Sequence, residues 1–227
     1  MHTKRLIYPS MTIKTACSSA GLGLHLALQS IRQGECSSAI VAGANLIMAP
    51  GMSIILTAAG TLSPDGSSKT FDASADGYGR GEGVSALYVK RLDEAIKDGN
   101  PIRAVIRATS TGVDGKTAGI TMPSPEAHES MIREAYKNAK LEFSRTAMFE
   151  CHGTGTSAGD PVEVKAIANC FGEYGIYIGS VKPNLGHSEG NSAITSIVKA
   201  VLSLEHKTIL PNIKFNTPNP ASKFSKI

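Results

Sequence analysis

Ile13-Lys14-Thr15-Ala16-Cys17-Ser18-Ser19-Ala20-Gly21 runs directly into Leu22-Gly23-Leu24-His25-Leu26-Ala27-Leu28, and the rest of the chain is read outward from this junction. Leu24, Leu28 and Ile31 share one helical stripe, with Leu22 and Leu26 outside it. The spacing therefore predicts a helix that is apolar nearly all round and buried. Its start is expected at or just before Cys17. A thiol there would sit among unpaired backbone N–H groups at the positive end of the helix dipole, which favour the nucleophilic thiolate. A small buried core residue is the competing account of the same cysteine.

More than a hundred residues later, two histidines stand in short glycine-rich contexts. One is Glu150-Cys151-His152-Gly153-Thr154-Gly155-Thr156; the other is Val181-Lys182-Pro183-Asn184-Leu185-Gly186-His187-Ser188-Glu189-Gly190. Thr-Ala-Cys-Ser-Ser, His-Gly-Thr-Gly-Thr and Lys-Pro-Asn-Leu-Gly-His-Ser-Glu-Gly, in that order, resemble the β-ketoacyl synthase (ketosynthase) domain of type I polyketide and fatty acid synthases. With Leu204-Glu205-His206-Lys207-Thr208-Ile209-Leu210-Pro211-Asn212 after the third block, the resemblance is greatest to fungal reducing polyketide synthases. It runs from about Thr12 to Pro220.

The resemblance implies an α/β, thiolase-like fold of two βαβαβ-type halves in layers of helix and sheet. It implies an acyltransferase that performs decarboxylative Claisen condensation of an acyl-Cys thioester with malonyl-acyl carrier protein. Cys17 would then accept the acyl group, with small neighbours that let the acyl chain and backbone donors approach. His152 and His187 would donate ring N–H groups to the thioester oxygen as charge develops there. Lys182 would support the histidines electrostatically and pair with Glu189. Thr154 and Thr156 would hold the phosphopantetheine arm of acyl carrier protein, although turn chemistry accounts for them equally. No metal and no directly bound cofactor are implied, and homodimerisation and a cytoplasmic setting follow by the same analogy. Glu163, Asp160 and Arg80 read as scaffold.

Lys14 stands where the family usually has Asp, Ala20 replaces a common Ser, and Cys151 a common Ala. Residues 1–11 match nothing in the family and form an atypical segment. Residues 12–98 correspond to the C-terminal part of the N-terminal ketosynthase half, residues 99–220 to the C-terminal half with both histidines, and 221–227 to a tail. Family strands that precede the cysteine have no counterpart, so the N-terminal half is expected to be incomplete. A rival to catalysis is thus a truncated ketosynthase remnant acting, if at all, through dimerisation, with poor stability in isolation.

Composition fits a soluble globular protein. Of 227 residues, 41% are apolar and 19% charged, and the net charge of +4 contains no basic block that would suggest nucleic acid. The cysteines at 17, 36, 151 and 170 lack a C-x-x-C spacing, which argues against a zinc site and leaves a reducing, intracellular setting as the default. The first residues, Met1 to Pro9, contain no apolar run of signal-peptide length, and no stretch approaches the roughly twenty apolar residues of a membrane span. Gly153-x-Gly155-x-x-x-Gly159 could pass for a dinucleotide turn, but that reading leaves Cys17 and His187 unexplained.

Alternation and periodicity predict the remaining elements. Strands are expected at Ser38–Ala44 (buried on both faces), Val84–Val89, Ile102–Ser110, Thr146–Cys151 and Tyr177–Val181. Helices are expected at Leu92–Asp98, from Ser124 or Pro125 to Lys140, at Asp160–Phe171 and at about Asn191–His206. Gly34 should stop the first helix. The glycine-punctuated stretch from Ser67 to Gly83 reads as a long loop, a length uncommon unless functional, and the resemblance has it line the approach to the site.

Overall fold

The computed structural model describes residues 9–119, 122–222 and 224. Most of the atypical segment 1–11 and of the tail 221–227 therefore lies outside the described residues.

Helix α1 (Ser19–Gln33) begins two residues after Cys17. The hydroxyls displace its start: Ser18 Oγ donates to the Thr15 carbonyl at 2.7 Å and Ser19 Oγ to the Ala16 carbonyl at 2.7 Å, while Thr15 N–H donates to Ser19 Oγ at 2.8 Å. Serine side chains bonded to nearby backbone offer an alternative to the helical ladder, and Ala16 takes φ +55° in the resulting turn. Leu24 and Ile31 are buried as the stripe predicts, but Leu22, Leu26 and Leu28 are only half-buried. Gly34, at φ +77°, closes the helix through its N–H to Ile31 and that of Glu35 to Ser30.

Strands β1 (Ser38–Asn45) and β2 (Gly83–Lys90) pair antiparallel, Ser38 opposite Lys90 and Asn45 opposite Gly83. Helix α1 and the last helix, α7 (Ser192–His206), cover one face, where Ala20, Leu24, Val41 and Ile194 form a small core flanked by Leu87, Val89 and Ile197. The other face is exposed: Ile40, Val84 and Tyr88 all lie on it, with Ile40 opposite Tyr88. Strand β1 is thus buried on one face only among the described residues, because nothing packs on the second.

Between these strands, α2 (Gly51–Ala58) forms where the mixture of apolar residues with Gly and Pro gave no clear periodicity, and none of its residues is buried. Helix α3 (Leu92–Lys97) follows β2. The predicted strand at Ile102–Ser110 has no hydrogen-bonded neighbour strand among the described residues. It is anchored laterally instead: Arg103 pairs with Glu205 of α7, Arg32 donates to the Arg107 carbonyl, and Thr109 Oγ1 meets His25 Nδ1 at 2.8 Å. Apolar alternation marks an extended segment but does not supply the partner that makes it a strand.

Helix α4 (Pro125–Ala139) starts as read, with Ser124 Oγ accepting from Ala127 N–H and proline in the first turn. Strands β3 (Met148–Glu150) and β4 (Tyr177–Gly179) are shorter than predicted and pair parallel, joined by α5 (Gly159–Phe171). That unit surrounds the densest core, in which Val164, Ile167 and Phe171 are fully buried with Cys151, Cys170, Ile176 and Phe71; Ile132 and Tyr136 of α4 pack onto it. A single turn, α6 (Lys182–Leu185), leads to His187 and α7.

Candidate active site

Each histidine follows a strand of the β3–β4 pair. His152 comes two residues after β3, and the Glu163 carboxylate of α5 holds its loop by accepting from His152 N–H at 2.6 Å and Gly153 N–H at 2.8 Å. Asp160 repeats the device one turn earlier, accepting from Phe71 N–H at 2.8 Å and Gly155 N–H at 3.1 Å. Asp160 is fully buried, and burial raises its pKa to about 6 despite those donors. Both carboxylates thus fix backbone, as their scaffold reading requires.

His187 is held from the other direction. The Gly77–Gly83 loop lies along it: His187 N–H donates to the Gly79 carbonyl at 2.7 Å, and Gly81 N–H to the His187 carbonyl at 2.9 Å. A Cβ at Gly81 would overlap the Leu185 carbonyl, so this crossing needs glycine. Tyr78 lays its ring edgewise against the His187 imidazole at 4.9 Å between centroids.

One ligand atom each from Cys17, His152 and His187 lies within 4.8 Å of the others. The two imidazoles stand nearly perpendicular, 5.3 Å between centroids. The three residues line one cavity of about 1780 Å³, with Thr154, Thr156, Tyr78 and Glu189 also on its wall. Cys17 is half-buried, and its carbonyl accepts from Ser192 Oγ at the start of α7, 3.1 Å away, which ties the cysteine turn to the histidine side. Lys14 is exposed at the cavity wall. A thiolate and two imidazoles are also a donor set that suits zinc.

Glu189 N–H donates to His187 Nδ1 at 3.0 Å. That nitrogen is therefore the acceptor, and the neutral ring carries its proton on Nε2. Burial first, then the Lys182 charge, lowers the His187 pKa to about 3. His152 presents surface to the cavity, but the protein around it, followed by the charges of Lys182, His187 and His128, pushes its pKa well below the ordinary value. Both rings are neutral at pH 7, the state in which each bears one N–H and one free nitrogen.

Lys182 is buried, and its ammonium donates to the His152 carbonyl. Desolvation lowers its pKa against the pull of Glu163 and Glu150. The expected ion pair with Glu189 is absent: Glu189 Oε1 takes Arg80 Nε at 2.8 Å instead. Lys182 points back under the His152 loop, so the two charges that the family resemblance paired have different partners. Thr154 and Thr156 share a hydroxyl–hydroxyl contact of 3.0 Å, and Thr156 Oγ1 accepts from Gly159 N–H, so both serve the turn as well as the cavity wall. Sequence reading gave no role at the site to Tyr78, and its placement inside Gly-Tyr-Gly-Arg-Gly is the signal that would have found it.

Residues 8–95 match the family model for the N-terminal domain of β-ketoacyl synthase, and residues 103–216 match that for its C-terminal domain. The chain belongs to the β-ketoacyl synthase family. It is 63% identical over 219 residues to the highly reducing polyketide synthase g433 of a Fusarium species and 58% identical over 222 residues to the squalestatin hexaketide synthase clz14 of Cochliobolus lunatus. Both matches span 96% of this β-ketoacyl synthase chain and 9% of the relative. Among solved structures, the ketosynthase from module 6 of the Bacillus subtilis 168 bacillaene synthase superposes with a TM-score of 0.91 at 39% identity, over 93% of this chain and 39% of that one. The oxazolomycin ketosynthase domain OzmH KS7 of Streptomyces albus JA3453 gives the same TM-score at 35% identity, over 95% and 38%. The fold is thus the thiolase-like α/β arrangement that the motifs implied.

Proposed function

We propose that this chain carries the acyl-condensing centre of a polyketide synthase ketosynthase, with Cys17, His152 and His187 as its catalytic residues. The observation that carries this reading is the convergence of one thiol and two neutral imidazoles on a single cavity. The Cys17 thiolate attacks the carbonyl carbon of an acyl thioester and expels the carrier thiol, leaving an acyl-Cys17 thioester. A malonyl thioester then loses CO₂; the electron pair of the broken C–C bond passes into an enolate whose oxygen is stabilised by imidazole N–H donors, Nε2–H in the case of His187. Attack of the enolate carbon on acyl-Cys17 forms the new C–C bond and returns the thiolate. Lys182 contributes by keeping both rings unprotonated at their acceptor nitrogens, since its charge opposes theirs.

Under the same reading the acyl and malonyl groups arrive on the phosphopantetheine arm of acyl carrier protein, with Thr154 and Thr156 along its path on the cavity wall. The chain works as a homodimer in the cytoplasm, its halves dividing at residues 98 and 99. Among the described residues no helix is long and apolar enough to cross a membrane.

Intact-mass spectrometry after incubation with a short acyl thioester tests the proposal. A single acyl adduct, absent from Cys17→Ala, is expected, followed by loss of CO₂ from a malonyl thioester. A folded chain that forms no adduct would overturn the catalytic reading in favour of a non-catalytic remnant.

A further inference from the structure

We propose that Arg80 is a positioning residue for His187, acting through Glu189. Arg80 Nε holds Glu189 Oε1 at 2.8 Å, and Nη1 holds Ser53 Oγ of α2 at 2.8 Å, so the guanidinium is fixed from two sides with its side chain 9% exposed. Its backbone is bridged to that of His187 through the paired bonds of Gly79 and Gly81. Arg80 does not line the cavity, although Glu189 and His187 both do. Its effect on a reacting group therefore passes through Glu189.

Glu189 has φ +43°, in the left-handed region that non-glycine residues rarely occupy. Its backbone opens a 3₁₀ turn in which Asn191 N–H donates to the Ser188 carbonyl at 2.9 Å, and the charge-assisted bond to Arg80 anchors its side chain. The turn anchored in this way presents the Glu189 N–H to His187 Nδ1, 3.0 Å away, which assigns the ring proton to Nε2. Without the ion pair the turn relaxes, Nδ1 loses its donor, and the ring is free to adopt the other tautomer. Arg80 and Glu189 thus choose which nitrogen of His187 donates. The tautomer assignment stands on this geometry alone; its effect on decarboxylation rests on the catalytic reading above.

The test uses the whole chain labelled with ¹⁵N-histidine, with long-range ¹H–¹⁵N spectra at pH 7 and the His187 signals identified by their loss in His187→Asn. The wild type is expected to show the single Nε2–H pattern at His187. Arg80→Met and Glu189→Gln should convert it to a mixture, the other histidines being unmoved, and Arg80→Lys should restore it. Acylation of Cys17 and malonyl decarboxylation are measured on the same samples. Decarboxylation should fall on the order of 10²-fold in Arg80→Met, the scale of one lost oxyanion donor. An unchanged Nε2–H pattern in folded Arg80→Met or folded Glu189→Gln overturns the proposal, as does an Nδ1–H pattern in the wild type. If Arg80→Met fails to fold, Glu189→Gln and Arg80→Lys carry the comparison. A tautomer change in a chain that cannot be acylated supports positioning and defeats the catalytic reading alone.

Discussion

The two sides of the cavity are built differently. The histidine side rests on the β3–α5–β4 unit, where Val164, Ile167 and Phe171 are fully buried and two carboxylates, buried Asp160 and half-buried Glu163, hold the loops. The cysteine side rests on a two-stranded sheet covered on one face, a small core and an uncovered α2, and its turn is held by short bonds among Thr15, Ser18 and Ser19 that lie in contact with solvent. The histidines are therefore fixed by the densely buried β3–α5–β4 unit, whereas the cysteine turn is shaped by local hydroxyl chemistry and joined to the histidine side by the bond from Ser192. The difference teaches that one cavity can be walled by two levels of packing, with Cys17 on the more thinly packed side.

The largest way to break this contrast is to remove packing from each side in turn. Phe171→Ala should cost about 3–5 kcal/mol, because the ring is fully buried and meets Tyr136, Phe143 and Phe149. Ile55→Ala in α2, a position 62% exposed, should change stability by no more than about 0.5 kcal/mol. Denaturant unfolding of the two variants measures both, and similar losses would show that the sides are equally packed.

A smaller effect is expected at Asp160. Asp160→Asn keeps the shape but offers only one carbonyl-type acceptor, so one of the two buried N–H groups, Phe71 or Gly155, loses its partner. A loss of about 1–3 kcal/mol should follow, visible as a lower denaturant midpoint with an unchanged slope.

Acid should test the contrast through two opposed titrations. His187 has a folded pKa of about 3 against an ordinary 6.5, so between those values the unfolded chain holds the extra proton, and stability present above pH 6.5 is lost as the pH falls. Asp160 opposes this: its folded pKa of about 6 lies above 3.8, so the folded chain holds the extra proton in that interval and acidification stabilises it. His187→Asn should therefore show a shallower acid loss than the wild type, and Asp160→Asn a steeper one. Thermal midpoints taken from pH 7 down to pH 4 decide both slopes.

Much of the fold was legible because the signals are local. Ser124 capping α4, Gly34 closing α1, and the helical spacing of Ile194, Ile197 and Val201 each report on a few neighbouring residues. The three motif blocks likewise carried the cavity residues before any contact was known. What sequence could not give was partnership. Ile102–Ser110 has the alternation of a strand but no neighbour among the described residues. Glu189 seemed to belong to Lys182, seven positions away, yet its carboxylate meets Arg80, 109 positions away. The start of α1 was misplaced by two residues because serine hydroxyls, not hydrophobic spacing, set it.

The bond from Ser192 Oγ to the Cys17 carbonyl joins positions 175 residues apart. On a ribosome adding roughly 5–20 residues per second, the thiol emerges on the order of 10–35 s before the helix that anchors its turn. For the first part of that interval, until His152 is made, the growing chain holds the Cys17 thiol without either imidazole. The order of synthesis thus acts as a timer: under the function proposed above, chemistry that needs all three groups waits until His187 has been made and α7 has docked against the Cys17 turn.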